Sequence, residues 1–262
     1  MIMKKYKIIT LLILPVVCTA FQFQSPLKKK KGVIAHRGAW KSSKLPQNSI
    51  AALQEAINLK CYGSEFDVHL TADDVLIVNH DHEFLGLSVE ASSYLQLKSR
   101  KLENGEYIPT AEDFIKAGMR QKRTRLIMEL KPSKLGRNRT IALAVVAVNL
   151  VNRLNADRLV EYISFDYDAL KKILELNPKA KVAYLGSDVA PKKLKEDGFT
   201  GLDYHHAALK KKTEWIAQAK QEGLKINVWT VNSRPDIIYF FNEKADFITT
   251  DEPELAHSIL KE

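Results

Sequence analysis

The sequence predicts an α/β fold in which eight parallel strands alternate with helices. Short apolar runs recur between residues 33 and 249, and stretches with helical spacing of apolar residues separate most of them. Repetition of strand and helix places successive strands parallel to one another, with the helices packed outside. About 230 residues follow residue 31, which is a suitable length for a TIM (β/α)8 barrel.

Nine runs have the length and composition of strands. They are residues 33–36, 64–68, 75–79, 126–130, 160–165, 181–185, 201–205, 226–231 and 246–249. Helical spacing is found over residues 48–59, 139–154, 167–176, 211–222 and 235–242. Runs 64–68 and 75–79 are too close for a parallel crossover, which needs about a dozen residues or more. We therefore expect 75–79 to return antiparallel as a small hairpin after strand 2, and the other eight strands to form the barrel.

The hairpin affects which side chains meet. A two-residue turn within residues 72–74 would place His80 opposite Glu65 or Asp67, on the same face of the sheet. Residues 83–108 show no strong period, and we interpret them as an insertion or lid over one mouth of the barrel. No linker rich in proline or glycine interrupts the chain, so we expect one domain over residues 32–262.

The first 20 residues have the features of a secretory signal peptide. Three lysines precede an apolar stretch over residues 8–17, and Cys18-Thr19-Ala20 forms a cleavage site. We expect residues 1–20 to be removed, residues 21–31 to form a basic flexible lead-in, and the protein to be exported to the periplasm or secreted. A retained membrane anchor and a lipidated Cys18 are alternatives. The apolar stretch is short for a membrane span, and Val17 stands where lipidation requires a small residue.

The composition indicates the kind of partner. Hydrophobic residues make up 45% of the chain, which allows a sizeable core, and the formal net charge of +9 favours an anionic partner. A nucleic acid, a membrane surface and a phosphorylated small molecule all carry suitable charge. The sequence contains no P-loop, Rossmann glycine motif, zinc-finger spacing or nucleic-acid-binding module. We therefore expect a small-molecule substrate and no nucleic acid; membrane association is possible but not indicated, and the sequence does not give the oligomeric state.

Three acidic residues suggest a cation site. Glu65 and Asp67 are two apart on one strand, so their side chains share a face and repel each other unless a cation or proton lies between them. Glu129 and Lys131 have the same spacing at the end of the next parallel strand. Carboxylate oxygens suit a hard divalent cation such as Ca²⁺ or Mg²⁺.

Further residues are expected at the same end of the barrel. His36 and Arg37 end the first strand, and Trp229 lies near the end of the seventh. The carboxyl ends of barrel strands meet at the face where active sites form. Arg37 and Lys131 suit phosphate oxygens, and His36 and His80 are general acid–base candidates. Each residue alone has a structural explanation, such as a strand-end hydrogen bond or a surface charge, but the set together predicts phosphodiester cleavage.

The chain resembles the glycerophosphodiester phosphodiesterase family in segments that follow the family's order. These are AHRG (35–38), PQNS (46–49), SEFDVHLTADDVLIVNHD (64–81), IPTAEDF (108–114), MELK (128–131), SFD (164–166), VWTVN (228–232) and TTDEP (249–253). They extend over nearly the whole chain after residue 31. The resemblance implies a TIM barrel that hydrolyses glycerophosphodiesters to glycerol 3-phosphate and an alcohol, using a divalent cation.

The resemblance also implies roles for individual residues. The implied roles are acid–base catalysis for His36 and His80, cation binding for Glu65, Asp67 and Glu129, phosphate contact for Arg37 and Lys131, and a pocket wall for Trp229. Gln47 and Asn48 belong to a segment expected to bind substrate, where the family usually has Pro-Glu-Asn-Thr. Gln47 keeps the shape of that glutamate and lacks its charge.

Several alternatives remain open at this point. A barrel of the same fold could act on a lipid, as a phospholipase D does, or on a sugar phosphodiester, and a barrel without catalysis could only bind. The segment after His80-Asp81, HEFLGLSVEAS, departs from the family's pattern. An exposed apolar patch between Phe84 and Leu97 would favour a lipid, and a polar one a soluble diester. Asp251 is expected to close the turn after the last strand.

Overall fold

Eight parallel strands close into a barrel with helices outside it. The computed structural model describes Ile2 and residues 31–262. Apart from Ile2 and Lys31, the predicted signal peptide (1–20) and lead-in (21–31) lie outside the described residues. The barrel strands are β1 (Gly32–Ala35), β2 (Gly63–Leu70), β6 (Arg125–Leu130), β7 (Val160–Ser164), β8 (Val182–Tyr184), β9 (Gly201–His205), β10 (Lys225–Trp229) and β11 (Phe247–Thr250). Three shorter strands follow β2 in the chain: β3 (Leu76–Val78), β4 (Glu83–Phe84) and β5 (Leu87–Ser88).

The helices connect the barrel strands on the outside. They are α1 (Ile50–Asn58), α2 (Tyr94–Leu97), α3 (Ala111–Gly118), α4 (Arg137–Arg153), α5 (Tyr167–Leu176), α6 (Pro191–Glu196), α7 (His206–Lys211), α8 (Glu214–Gln221), α9 (Arg234–Asn242) and α10 (Pro253–Ile259). Several begin after a residue whose side chain caps the first turn, as Ser49 does by accepting from Ala52 N at 3.0 Å. Within the described part of the chain, no helix is long and apolar enough to cross a membrane.

Strand pairing confirms the predicted TIM barrel. The parallel order runs β1, β2, β6, β7, β8, β9, β10 and β11, and β11 pairs in turn with β1, which closes the barrel. β3 pairs antiparallel with β2, as the short separation of the two runs predicted, and β4 and β5 form a second small antiparallel sheet. Closure of the barrel brings the carboxyl ends of all eight strands around one mouth.

The predicted two-residue turn between β2 and β3 is wrong. Val68 pairs with Val78 and Leu70 with Leu76, and residues 72–74 form a three-residue loop closed by a hydrogen bond from Thr71 N to Val75 O (3.0 Å). Asp74 ends this loop with φ 59°, the left-handed conformation that such hairpin loops require. The extra residue shifts the register by one position, so His80 does not lie directly across from Glu65 or Asp67.

Two apolar layers support the barrel. The larger core cluster lies between the strands and the helices and includes Phe66, Met128 and Phe240. A smaller cluster contains Ile34, Ile127, Ile163 and Phe247 on the barrel strands and Leu185 directly after β8. These residues alternate along the strands with those of the larger cluster, so they fill the barrel interior. The polar ends of the strands therefore stand on a packed floor rather than over a channel.

The segment between β3 and α3 has its own small core. Its buried cluster comprises Ile77, Phe84, Val89, Leu97 and Ile108. Glu106 joins this insertion to α1 by accepting from Ile50 N (3.0 Å) and Ala51 N (3.2 Å) at the helix N-terminus. Glu90 joins it to the β6–α4 loop by accepting from Lys134 N (3.1 Å). The insertion is therefore an ordered part of the barrel mouth.

Candidate active site

The turn after β1 presents His36 and Arg37 at the barrel mouth. His36 N donates to the Thr250 carbonyl (3.0 Å) at the end of β11. Arg37 has φ 54° and Gly38 has φ 84°, so the chain turns sharply in the left-handed region. A Cβ on residue 38 would lie only 2.6 Å from Ala52 Cβ in α1, so only glycine fits there. The strand therefore ends in a tight, conformationally restricted turn.

Three carboxylates meet beside this turn. Asp67 on β2 pairs with Glu129 on β6, and Glu65 lies on the same face of β2 as Asp67. One oxygen from each of the three lies within 4.8 Å of the others, and all three residues are buried. Glu65 Oε1 has no hydrogen-bond partner among the described residues, and Asp67 Oδ1 and Glu129 Oε1 contact only the ammonium of Lys131. Carboxylates in this arrangement repel one another, and an oxygen-only donor set fits a hard divalent cation.

Burial dominates the electrostatics of this cluster. Burial, together with the charges of Asp67 and Glu129, holds the pKa of Glu65 well above its usual range. Burial and the nearby Asp67 raise the pKa of Glu129 from 4.5 to about 7. Burial also opposes ionisation of Asp67, but Lys131, His80 and Asn48 outweigh it and lower the pKa of that carboxyl. Without a cation, the cluster therefore retains protons near neutral pH, and cation binding favours their release.

Two basic side chains flank the carboxylates. Lys131 Nζ lies 2.8 Å from Glu129 Oε1 and 3.3 Å from Asp67 Oδ1. Burial opposes the charge of Lys131, but these carboxylates outweigh it, so its pKa is raised. Arg37 Nε lies 3.8 Å from Asp67 Oδ2 and is buried without a hydrogen-bond partner among the described residues. Arg37 therefore has a donor available for a phosphate oxygen.

Gln47 and Asn48 contact the residues that form the site. Gln47 Oε1 accepts from Arg37 Nη1 at 2.6 Å. Because a guanidinium only donates, the amide oxygen must face it, so Gln47 supplies the acceptor that a glutamate would supply. Asn48, with φ 59°, donates from Nδ2 to Asp67 Oδ2 (2.8 Å) and accepts from Asp67 N at Oδ1 (3.1 Å). The two residues, expected to bind substrate, here orient Arg37 and Asp67.

His36 is oriented by a chain of hydrogen bonds. Its Nδ1 donates to Asp251 Oδ1 at 2.8 Å, and the other carboxylate oxygen of Asp251 accepts from Asn232 Nδ2 at 2.7 Å. Burial opposes the charge of Asp251, but the bonds from His36 and Asn232 outweigh it and lower its pKa. Because a carboxylate only accepts, Nδ1 of His36 carries the proton, and Nε2 remains for proton transfer.

His80 reaches the mouth from the insertion side. Its Nδ1 donates to Asp81 Oδ1 at 2.7 Å, and its carbonyl accepts from Nε2 of the buried His69 at 3.2 Å. Burial lowers the pKa of His80, and the charges of Asp67, Lys131 and Arg37 also act on the ring. His80 is thus near the carboxylate cluster although the hairpin register differs from the predicted one. Its backbone is held by His69 where the β2–β3 ladder has ended.

The opposite side of the mouth is aromatic. Phe165 follows β7 and contacts Trp229 edge to face, with ring centroids 5.4 Å apart. His205 at the end of β9 contacts the same Trp229 ring at 5.0 Å. Trp229 Nε1 donates to the Asp203 carbonyl at 2.9 Å, which fixes the indole. The mouth therefore has a charged half on β1, β2 and β6 and an aromatic half on β7, β9 and β10.

Sequence reasoning did not find every residue of this site. It assigned Asp251 only to a turn and gave no role to His69, Asn232 or Asp81. Asp251 is 215 positions from His36, so no local pattern relates the two. The available signal was that these residues lie in or beside the segments that carry the family resemblance. Asp203 was also missed: it is buried on β9, and burial raises its pKa to about 7.

Known proteins are similar to the chain in both sequence and fold. A model of the glycerophosphoryl diester phosphodiesterase family matches residues 36–255. The structure of a glycerophosphodiester phosphodiesterase from Parabacteroides distasonis ATCC 8503 has 43% sequence identity to the chain and a TM-score of 0.86, over 88% of this chain and 97% of that one. A glycerophosphodiester phosphodiesterase from Caldanaerobacter subterraneus subsp. tengcongensis is 27% identical over 246 residues, which cover 87% of this chain and 97% of that protein.

A more distant structure shares the fold. It is a phosphodiesterase from Oleispira antarctica in complex with the product sn-glycerol-3-phosphate, with a TM-score of 0.77 and 23% identity over 89% of this chain and 98% of that one. The family match includes all of the carboxylates and histidines described above. The chain belongs to the glycerophosphoryl diester phosphodiesterase family and is an enzyme of that class.

Proposed function

We propose that the chain hydrolyses glycerophosphodiesters to glycerol 3-phosphate and an alcohol, with a divalent cation and with His36 and His80 as the acid–base pair. The observation that carries this proposal is the cluster of three buried carboxylates, each with an oxygen within 4.8 Å of the others, next to Arg37 and Lys131 at the barrel mouth. The glycerol 3-phosphate bound in the Oleispira antarctica structure supports this product for a protein of the same fold.

Glu65, Asp67 and Glu129 would hold the cation, either Ca²⁺ or Mg²⁺. When bound, the cation supplies positive charge against the negative charge that develops on the phosphoryl group. Arg37 and Lys131 bind the phosphate oxygens and orient the phosphorus. Burial of the cluster strengthens these interactions, because less water screens them than at an exposed site.

The two histidines would move the protons. Each has its Nδ1 bonded to a carboxylate, Asp251 for His36 and Asp81 for His80, so each has Nε2 for transfer. One histidine accepts the proton of the attacking hydroxyl, which belongs to water or to a neighbouring group of the substrate. The other donates a proton to the oxygen of the leaving alcohol.

The apolar side chains of the insertion are partly buried and partly exposed, so they favour no single class of diester. Between Phe84 and Leu97, the side chains of Phe84, Val89 and Leu97 are buried in the small core, whereas Leu85 is 53% and Leu95 78% exposed. The aromatic half of the mouth suits the uncharged part of a soluble diester. A soluble glycerophosphodiester is our first candidate, and the exposed leucines favour a lipid phosphodiester as the second.

Release of glycerol 3-phosphate from glycerophosphocholine and glycerophosphoethanolamine tests the proposal. We expect release with Ca²⁺ or Mg²⁺ that a chelator abolishes. His36→Ala should reduce kcat by about 10²–10⁴-fold, because general acid–base groups contribute that much. His257→Gln changes a histidine on α10, outside the mouth, and should retain activity. If a folded wild-type protein released nothing from either diester with either cation, the chain would act on another diester or only bind.

We also propose export of the protein, because residues 1–20 have the features of a signal peptide. The expected mature N-terminus is Phe21. N-terminal sequencing of protein recovered from the periplasm or medium would detect it. Recovery of an unprocessed chain from the cytoplasm alone would contradict this proposal.

A further inference from the structure

Three large apolar side chains stand exposed on neighbouring loops at the barrel mouth. Leu85 is 53% exposed in the β4–β5 hairpin, Leu135 is 68% exposed in the β6–α4 loop, and Phe165 is 42% exposed after β7. We refer to Leu85, Leu135 and Phe165 as the apolar row. None of them belongs to the carboxylate cluster, but each lies close to a group at the site: Leu85 follows His80 in the chain, Leu135 follows Lys131, and Phe165 contacts the Trp229 ring.

The three loops are bonded to one another. Glu90, two residues beyond β5, accepts from the Ser133 hydroxyl and from Lys134 N (3.1 Å), and Lys134 directly precedes Leu135. Two hydrogen bonds join the loop after β7 to the end of β6 and the start of α4. Ser164 Oγ donates to Leu130 O at 2.7 Å, and Arg137 Nε donates to Asp168 Oδ2 at 2.7 Å. The apolar row is therefore carried by three loops that are bonded to one another at the active-site face.

The hairpin holds Leu85 in an unfavourable conformation. Glu83 pairs with Ser88 and Phe84 with Leu87, so Leu85-Gly86 is a two-residue turn. Both of its residues have positive φ, 49° and 81°, which are typical of a type I′ turn. Asn or Gly is the usual first residue of such a turn, because a bulky side chain is strained there. An exposed leucine at this position is costly both to the backbone and to solvation, which suggests that its apolar side chain is used.

Unpaired basic residues lie along the same surface. Lys134 and Arg100 are exposed, and neither forms an ion pair among residues 31–262. Arg100 is beside the hairpin turn, with its guanidinium 3.6 Å from the position that a Cβ on Gly86 would occupy. Two acidic side chains also face this region: Asp81, which is bonded to His80, and Glu83 at the start of the hairpin. Positive groups available for an anionic partner therefore flank the apolar row.

We propose that the apolar row binds the surface of a lipid bilayer and holds the barrel mouth against it. Single side chains at loop tips, flanked by basic groups, can insert between lipid head groups, whereas a peptide or helix would need a groove. A bilayer surface is also where phosphodiesters derived from lipid head groups arise, and this choice of partner rests on the proposed function. The surface contact itself can be measured without any turnover.

Vesicle sedimentation with residues 31–262 tests this inference. This part of the chain contains the complete closed barrel, and it omits the apolar stretch 8–17, which could bind lipid by itself. With vesicles of phosphatidylcholine and phosphatidylglycerol, Leu85→Asn and Leu135→Ser should each lower the partition coefficient about tenfold. Asn suits the turn better than Leu, so Leu85→Asn should melt no lower than wild type, and lost binding will not reflect unfolding. Leu176→Ser, at the carboxyl end of α5 away from the mouth, should bind like wild type.

A variant that removes one positive charge separates the electrostatic part of the membrane contact from the apolar part. Lys134→Gln should lower binding to vesicles with phosphatidylglycerol about fivefold and leave binding to pure phosphatidylcholine unchanged. Lys179→Gln, an exposed lysine after α5, is the matched control. The inference is wrong if wild type does not bind either vesicle, if Leu176→Ser lowers binding as much as Leu85→Asn, or if the row variants instead dissociate a dimer in sedimentation velocity.

Hydrolysis of soluble glycerophosphocholine in the absence of vesicles distinguishes this inference from the proposed function. The Leu85, Leu135 and Lys134 variants should retain wild-type turnover of that substrate, because none of these residues is part of the site. Hydrolysis without vesicle binding would overturn the lipid surface and leave the proposed function intact. The wild type could instead bind vesicles, lose that binding in the row variants, and hydrolyse no diester. This result would support the lipid-binding surface and overturn the proposed hydrolysis of glycerophosphodiesters.

Discussion

His36 Nδ1 lies 2.8 Å from Asp251 Oδ1, which joins the first and last strands of the barrel at the active-site mouth. Asp251 in turn accepts from Asn232, whose own side-chain oxygen accepts from Asp251 N (2.9 Å) and from the Thr250 hydroxyl (3.0 Å). The imidazole is thus held by a network anchored in β11 and in the segment after β10. Closure of the barrel, rather than local sequence, determines the orientation of this histidine.

Asp251→Asn should lower kcat more than it changes KM. An asparagine has one acceptor oxygen, and with that oxygen bonded to Asn232 its NH2 group donates to His36 Nδ1 and imposes the other imidazole tautomer. We expect a decrease in kcat of about 10²-fold or more, with a shifted pH–rate profile. Asp168→Asn, which removes an exposed acid on α5, is the matched control. Wild-type kcat and pH profile in Asp251→Asn would show that the 2.8 Å contact has no catalytic consequence.

The cation-free protein should lose stability as the pH rises from about 6.5 to about 8. Burial raises the pKa of Glu129 from 4.5 to about 7 and that of Asp203 from 3.8 to about 7, and it raises that of Glu65 as well. A raised pKa in the folded state means that the folded protein binds the proton more tightly than the unfolded chain does. The resulting stabilisation is complete below the pKa of the unfolded chain, and it is lost as the pH rises through the pKa of the folded protein. The lowered pKa values of Asp67 and of histidines such as His69 and His80 act in the opposite direction, at pH below the ordinary histidine value of 6.5.

Thermal unfolding in the presence of a chelator measures this dependence. Ca²⁺ or Mg²⁺ should raise Tm more at pH about 8 than at pH about 5, because protons compete for the same oxygens. Glu129→Gln should flatten the curve, since it removes one of the titrating groups. A Tm that rises between pH about 6.5 and about 8 in the chelated protein would contradict the assigned pKa directions.

Glu65→Gln should make the thermal stability of the protein nearly independent of the divalent cation. The amide keeps an oxygen that can accept from Arg37 N, a bond of 2.7 Å in the wild type, and removes one of three buried charges. We therefore expect a higher Tm without cation at pH about 8, and little further increase when Ca²⁺ or Mg²⁺ is added. Glu103→Gln, an exposed glutamate in the insertion, should behave like wild type. A full cation-induced Tm increase in Glu65→Gln would place the cation elsewhere.

Gln47→Leu should weaken substrate binding, whereas Gln47→Glu should not. The 2.6 Å bond from Arg37 Nη1 needs an acceptor, which leucine lacks and glutamate retains. We expect KM for glycerophosphocholine to increase about tenfold in Gln47→Leu and to change less than about threefold in Gln47→Glu. Steady-state kinetics of the two variants provides the comparison. Equal KM values would mean that Gln47 does not orient Arg37.

His69→Phe should lower kcat by loosening His80. His69 Nε2 donates to the His80 carbonyl at 3.2 Å, and burial lowers the His69 pKa to about 4, so the ring acts as a neutral donor. Phenylalanine fills the same space without a donor, and we expect kcat to decrease about tenfold or more with little change in KM. His69→Gln retains a donor and should recover part of kcat. If His69→Phe and His69→Gln lost activity equally, the bond to His80 would not be responsible.

The sequence predicted much of this protein from local pattern. Alternation of apolar runs with helical spacing predicts the barrel, because strands buried on both faces and amphipathic helices leave different periods in the chain. The i, i+2 spacing predicts that Glu65 and Asp67 share a face, and strand order predicts that Glu129 lies beside them. Pattern also identified the hairpin after β2, since six residues cannot make a parallel crossover.

Only the tertiary structure decided how the site is assembled. The three-residue loop at 72–74 shifted the hairpin by one position, and a one-residue difference in a turn is not encoded in the period of the flanking strands. The bond between His36 and Asp251 joins positions 215 apart, and it exists because parallel pairing of β1 with β11 closes the barrel. Residue types and their faces follow from local chemistry, whereas contacts between distant residues depend on register and closure, which only the complete fold determines.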